Sequence, residues 1–118
     1  IHTSSFPDGS YGGQPGGFII KANDKTIYIA GDTSLTYDMK LIPMFFDLDL
    51  AILPIGDNFT MGIEEAIQAS NFIDCNRVMG YHFDTFGFIE INHEDAINAF
   101  SSKKKELILL DIGKSIEV

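Results

Sequence analysis

The sequence predicts a layered α/β fold, because two β-rich runs are followed by helical and strand-like segments in alternation. Gly17–Ala22 and Lys25–Ala30 are rich in apolar and β-branched residues, and the pair Asn23-Asp24 between them tolerates positive φ. These runs are expected to form a hairpin. Farther along, Leu48–Ile55 is apolar almost throughout, which is typical of a strand covered on both faces.

The other elements follow from helical spacing and from capping residues. Tyr37–Phe46 is predicted to be partly helical, although Pro43 interrupts it. Ile63–Ile73 has apolar residues at helical spacing after a candidate N-cap at Thr60 or Gly62. The remaining predicted elements are a strand at Arg77–Tyr81, a helix capped by Asn92 and begun by His93, a strand at Glu106–Ile112 and a short strand at Lys114–Val118.

Composition narrows the class of protein. The 118 residues are 45% hydrophobic, which suits one compact unit without repeats or a second-domain boundary. Seventeen acidic and eight basic residues give a charge of −9, which disfavours nucleic-acid binding. Apolar runs such as Leu50–Ile55 fall short of the roughly 20 residues of a membrane span. We therefore expect a soluble, cytoplasmic protein with a small-molecule partner, for which homo-oligomers remain open.

Three further features of the sequence carry expectations: its first residue, its single cysteine and a basic run. The chain begins at Ile1 rather than Met, which favours a segment of a longer protein, and no signal peptide is expected. Cys75 has no second cysteine to pair with, so a buried cytosolic thiol is predicted. The basic run Lys103–Lys105 is interpreted as a solvated helix end.

Three side chains are candidate metal ligands. In layered α/β folds, ligands gather beyond the carboxyl ends of strands, where Asp32 and His82 are predicted to lie. His2 adds a second imidazole, and the set suits zinc, with manganese or iron as alternatives. Spacing alone does not establish a site, because an Asp after a strand is usually a turn or cap residue and a lone His is usually structural.

Other residues near these candidates have two interpretations each. Asn58, Thr60 and Asp84 would line the pocket or orient the metal ligands, or would serve as caps and turn residues. Four apolar residues are assigned to packing, namely Phe59, Met61, Phe83 and Phe86. His93, at the start of a helix, is assigned to solvent.

Several blocks of the sequence, in order, carry a family resemblance. They are His2–Phe6, Tyr11–Phe18, Thr26–Thr33, Leu53–Gly62 with Glu65 and Ala66 after it, and Gly80–Phe86. Together they resemble the UPF0173 metal-dependent hydrolases, a branch of the metallo-β-lactamase superfamily. The resemblance places residues 1–118 in the C-terminal half of that fold, a layered αββα sandwich of which this chain would supply one sheet-helix half.

The resemblance also implies a function. His2 corresponds to the His of a first metal site, Asp32 to the carboxylate that bridges two divalent ions, and His82 to the His of the second site. The resemblance implies hydrolysis of an ester, lactone or phosphoester by a metal-activated water. The family's His-x-His-x-Asp-His motif is absent, so the N-terminal half is an expected partner and this chain alone is expected to be inactive. The alternative is a non-catalytic binding or scaffold module with vestigial metal ligands.

Overall fold

Five strands form one mixed sheet in the part of the chain that the structure describes, residues 3–118 of a computed structural model. The strands are β1 (Phe18–Ala22), β2 (Lys25–Ile29), β3 (Leu50–Pro54), β4 (Arg77–Tyr81) and β5 (Glu106–Ile108), in the order β1-β2-β3-β4-β5. The β1–β2 pair is antiparallel and the other pairs are parallel. The fold class predicted from the sequence is therefore confirmed.

The hairpin between β1 and β2 turns where the sequence predicts it. Asn23 and Asp24 have φ values of 51° and 61°, and Ala22 pairs with Lys25 on either side of them. Two consecutive residues of positive φ make the kind of tight turn that matches the twist of paired strands. This turn sets the register in which β2 enters the parallel part of the sheet.

Two helices cover one face of the sheet. Helix α1 (Ile63–Phe72) connects β3 to β4, and α2 (His93–Ser102) connects β4 to β5. Both begin where the sequence predicts, at Gly62 and at Asn92, whose side chain accepts a hydrogen bond of 2.9 Å from the Asp95 amide. Residues from the sheet and both helices share one core, which includes Tyr28, Ala51, Val78, Leu107, Ala66, Ala69 and Phe100. Neither helix is long and apolar enough to span a membrane.

The opposite face carries an apolar row that neither α1 nor α2 covers. The strand registers align one residue from each strand, in the order Phe18, Ile29, Ile52, Met79 and Ile108. Phe18 is exposed, and the other four members of the row are half-buried. Ile20, on the same face of β1 as Phe18 but outside the row, is also exposed. The uncovered face expected of a half sandwich is thus present along this row, although Leu50 and Pro54 of β3 are buried.

The structure confirms one of the weaker predicted elements and corrects the last two strands. The segment predicted to be partly helical contains a 3₁₀ helix, Tyr37–Met44, and Pro43 lies inside this helix rather than interrupting it. The last strand ends at Ile108, and Lys114–Val118 forms no strand. β5 lies at the edge of the sheet and pairs only with β4, and this pairing ends at Met79 and Ile108 although β4 continues to Tyr81. The apolar run after Ile108 is therefore not part of the ladder.

The basic run is also less solvated than predicted. Lys105 is buried, and its Nζ donates a hydrogen bond of 2.8 Å to Oδ1 of Asn76. Burial lowers the pKa of its ammonium group. Lys103 and Lys104 follow the end of α2 and are exposed, as expected.

Candidate metal centre

Asp32 and His82 lie at the carboxyl edge of the parallel strands. Asp32 follows β2, and the chain stays in the sheet through Ala30, whose amide donates to the Ile52 carbonyl at 3.0 Å. Gly31 then turns with a φ of 71°, and a side chain at this position would collide with the carbonyl of Gly16. His82 follows β4 directly. The topology therefore brings the two predicted ligands to one edge from distant parts of the sequence.

The two side chains are close enough to serve one cation. Nε2 of His82 lies 3.7 Å from Oδ2 of Asp32. Zinc binds imidazole nitrogen and carboxylate oxygen at about 2.0–2.2 Å each, so two donors of one bent N–Zn–O unit lie somewhat less than about 4.2 Å apart. The donor types and their separation fit a divalent metal ion.

The backbone around His82 is tightly constrained. His82 has a φ of 56°, a left-handed conformation that is uncommon outside Gly, although His, Asn and Asp adopt it more often than other residues. A side chain at Gly56 would overlap the His82 carbonyl, so the loop after β3 must pass against the loop after β4 here. The buried Nδ1 of His82 has no hydrogen-bond partner among residues 3–118. A buried ring nitrogen without a partner is costly, and a ligand or another chain segment would complete it.

An open cleft of about 1500 Å³ contains both candidate ligands. Described residues that line it include Ser4, Phe6, Asp32, Asn58, Phe59, His82 and Phe86. No Lys or Arg of the described chain lines this cleft. The charge that this half provides is therefore that of one carboxylate and a titratable imidazole.

Tyr81, the last residue of β4, has a phenol whose pKa is affected by the Asp32 carboxylate. Burial, the negative charge of Asp32 and the neighbouring Tyr28 raise the pKa of Tyr81 to about 12. Each influence disfavours the phenolate, because a second negative charge would be placed near the first in a poorly solvated position. The hydroxyl of Tyr81 consequently keeps its proton at neutral pH.

The residues proposed to support the metal ligands lie in different places. Asn58 lines the cleft, and its Nδ2 donates to the carbonyl of Phe88. Thr60 is buried away from the cleft, with no hydrogen-bond partner for Oγ1 among the described residues. Asp84 is absent from the cleft lining and lines a second pocket of about 480 Å³, to which His82 also belongs. Their roles toward a metal remain predictions.

Asp84 organises the loop that carries His82. Its Oδ1 accepts from the Ile91 amide at 2.9 Å, and its Oδ2 pairs with Nε2 of His93. The hydrogen bonds from His93 and from Ile91 hold the pKa of Asp84 below its usual value. His93 also stacks edge-on against Phe83, with ring centroids 5.4 Å apart. His93 is exposed, as predicted, and its ring in addition joins the start of α2 to this loop.

The described part of the site is incomplete. His2 lies outside the described residues, and within residues 3–118 no three His, Cys, Asp or Glu side chains cluster closely enough to hold a metal. Sequence patterns also assigned Phe59 and Phe86 to packing, whereas both are exposed in the cleft. The turn-forming pair Asp57-Asn58 before Phe59 was the available signal, since such residues favour surface loops.

Known proteins match the chain closely in sequence. It is 69% identical to a UPF0173 metal-dependent hydrolase of Christiangramia forsetii and 68% identical to one of Flavobacterium johnsoniae. Both matches cover 100% of this chain and 52% of the relative, so the chain spans about half the length of the curated relatives it matches. No protein-family model matches the sequence.

The chain also resembles solved structures of metallo hydrolases and of metallo-β-lactamase fold proteins. Igni18, a metallo hydrolase from Ignicoccus hospitalis, is 29% identical with a TM-score of 0.81, and the match covers 98% of this chain and 49% of that one. The metallo-β-lactamase fold protein YhfI from Bacillus subtilis matches with a TM-score of 0.58 and 18% identity, over 75% of this chain and 38% of that one, which shows the fold alone. The predicted resemblance is thus confirmed: over its whole length this chain is similar to about half the length of the UPF0173 metal-dependent hydrolases, and its fold matches half of a metallo-β-lactamase-type fold.

Proposed function

We propose that the complete protein is a hydrolase that uses two divalent metal ions, zinc in preference to manganese or iron, and that His2, Asp32 and His82 are the ligands from this half. The observation that supports the proposal most directly is the 3.7 Å separation between His82 Nε2 and Asp32 Oδ2 at the carboxyl edge of the sheet. The close relatives named metal-dependent hydrolases support it independently.

Each side chain of this half has a distinct task. The two oxygens of Asp32 suit a carboxylate shared by two ions, while His82 offers one ring nitrogen to one of them. Bound ions of this kind supply an activated water and stabilise the negative charge that develops on the substrate. Tyr81 keeps its phenolic proton under the influence of the Asp32 charge, and it lines the second pocket with His82 and Asp84 rather than the cleft.

The ligands from this half do not suffice for catalysis. Catalytic zinc ions typically have three protein ligands each, and the described residues bring only Asp32 and His82 together. The N-terminal half of the same fold would provide the others through a His-x-His-x-Asp-His segment. The same half would cover the apolar row that begins at Phe18. We place the active protein in the cytoplasm, acting on a small ester, lactone or phosphoester.

A non-catalytic module with vestigial ligands is the competing candidate. The incomplete ligand set within residues 3–118 is the observation that favours it. The sequence encoded before Ile1 separates the two: a His-x-His-x-Asp-His segment there favours the enzyme, and its absence favours the module.

Metal analysis of variants of the complete protein tests the proposal. Asp32→Ala should disturb both ions, because a bridging ligand is lost, whereas His82→Ala should chiefly weaken one. Asp47→Ala, which removes an exposed carboxylate from the loop before β3, is the control and should keep both ions. Elemental analysis that finds two ions retained in Asp32→Ala would refute the assignment.

A further inference from the structure

Three exposed phenylalanines form a continuous aromatic surface beside the candidate metal centre. Phe59 is 53% exposed, Phe86 46% and Phe88 71%. The ring centroids of Phe59 and Phe86 lie 6.0 Å apart, and those of Phe59 and Phe88 lie 6.4 Å apart in an edge-to-face arrangement. Aromatic rings at these separations stabilise one another, so the group has a defined shape although it faces solvent.

The loops that carry these rings are fastened to each other. Phe59 follows Asp57 and Asn58, which have φ values of 61° and 56°, and its amide donates to the Asp57 carbonyl at 2.6 Å. The Asn58 side chain donates to the Phe88 carbonyl in the other loop. That second loop is closed by a hydrogen bond of 3.1 Å from the Ile89 amide to the Phe86 carbonyl. The aromatic surface is therefore positioned by the backbone rather than by burial of the rings.

Two of the three rings belong to the wall of the cleft. Phe59 and Phe86 line it together with Phe6, which is also exposed, whereas Phe88 lies outside the lining. Among the described lining residues the ionisable side chains are Asp32 and His82, and no Lys or Arg is available to pair with an anionic group. The rings are thus the apolar part of a lining that also contains polar side chains such as Ser4 and Asn58, and small-molecule sites usually combine apolar walls with a few polar groups.

We infer that Phe6, Phe59 and Phe86 bind the apolar aryl or acyl group of an uncharged ester or lactone whose reacting carbonyl lies at Asp32 and His82. The inference rests on the proposed function and narrows its substrate class to esters and lactones that carry an apolar group. Hydrolysis of such a substrate consumes one water: the acyl carbon gains the water oxygen, its bond to the ester oxygen breaks, and that oxygen leaves with a proton. The products are a carboxylic acid and an alcohol, joined in one molecule for a lactone.

Binding of two hydroxamates to the complete, metal-loaded protein tests this inference. Acetohydroxamate and octanohydroxamate present the same metal-binding group and differ only in the length of the apolar chain. Calorimetry should find octanohydroxamate bound about tenfold or more tightly, because its chain would be removed from water against the phenylalanines. Equal affinities, or no binding of octanohydroxamate, would overturn the inference.

Substitutions of single phenylalanines show which ring accounts for the ratio of the two hydroxamate affinities. Phe59→Ala should reduce the ratio of the two affinities to below about threefold, and Phe59→Leu should restore most of it. Phe45→Ala is the matched control, because it removes a ring that is 74% exposed and lies outside the cleft lining, and the ratio should stay at its original value. A lower melting temperature of Phe59→Ala with an unchanged ratio would mean that the surface contacts the other half of the fold, and would also overturn the inference.

An error in the proposed metal centre would give a different result from an error in the proposed role of the phenylalanines. If Asp32→Ala keeps both its metal content and its affinity for acetohydroxamate, the metal assignment is wrong. The ratio between the two hydroxamates in the unaltered protein decides the role of the phenylalanines on its own, because it compares ligands that share one metal-binding group.

Discussion

Nε2 of His93, in the first turn of α2, pairs with Oδ2 of Asp84 in the loop that carries His82. The other carboxylate oxygen of Asp84 accepts from the Ile91 amide, so both oxygens tie this loop to the chain leading into α2. His82 itself has a left-handed backbone conformation that a loose loop would not maintain. The pair is therefore expected to hold His82 in place rather than to bind metal.

Removing that pair should weaken one metal site. We expect His93→Ala in the complete protein to lower the affinity for the ion bound by His82 by about tenfold, in the range typical of residues that orient metal ligands. His93→Gln should restore much of the affinity, since its amide can donate to Asp84. Glu94→Ala, a neighbouring exposed change in the same turn, is the control. If Asp84→Asn removes metal as completely as His82→Ala, Asp84 is a ligand and this interpretation is wrong.

Lys105 should stabilise the fold through its aliphatic stem more than through its charge. Lys105→Ala removes buried contacts and the hydrogen bond to Asn76, which should cost about 1–2 kcal/mol in the free energy of unfolding. Lys105→Met keeps an apolar side chain at this position and removes the ammonium group, whose pKa is lowered by burial. Urea denaturation should therefore find Lys105→Met within about 1 kcal/mol of the unaltered chain. Equal losses in both variants would show that the charge matters most.

The thiol of Cys75 should be protected while the protein is folded. Cys75 is 3% exposed, its Sγ donates to the Arg77 carbonyl at 3.3 Å, and burial raises the pKa of the thiol. A raised pKa leaves less thiolate at any given pH, and the thiolate is the reactive form. Iodoacetamide at pH 8 should label the protein slowly in buffer and quickly in denaturant. Rapid labelling of the native protein would contradict the burial of this side chain.

The uncovered sheet face should make the 118-residue segment prone to association when it is produced alone. Phe18 and Ile20 are exposed at the β1 edge of the apolar row, and large apolar patches usually mark contact surfaces. Light scattering should detect oligomers, and Phe18→Ser should shift them toward monomer. Ile97→Ser removes an exposed apolar residue from α2 and should have no such effect. Identical shifts from both variants would argue against a specific role of this face.

The elements with strong local patterns could be predicted from the sequence. The turn at Asn23-Asp24, the start of α2 after Asn92 and the position of β4 all depend on neighbouring residues, and the structure confirms them. The end of the last strand could not be predicted, because it depends on where the pairing with β4 stops, at Met79 and Ile108.

Features that depend on contacts between distant loops were not predictable in the same way. The exposure of Phe59 and the close passage of Gly56 against His82 arise where the loop after β3 meets the loop after β4. The pairing of Asp84 with His93 arises where the loop after β4 meets the start of α2. Asp32 and His82 were identified by their places after strands and by family resemblance. Their 3.7 Å separation required the register of β2, β3 and β4.

The most direct measurement compares the metal content of residues 1–118 alone with that of the complete protein after dialysis against metal-free buffer. The segment brings Asp32 and His82 together without a third ligand among its described residues, so it should hold no tightly bound metal. The complete protein, with the ligands of its other half, should retain two ions per chain. A monodisperse monomer of Ile1–Val118 with two tightly bound ions would contradict the half-site account.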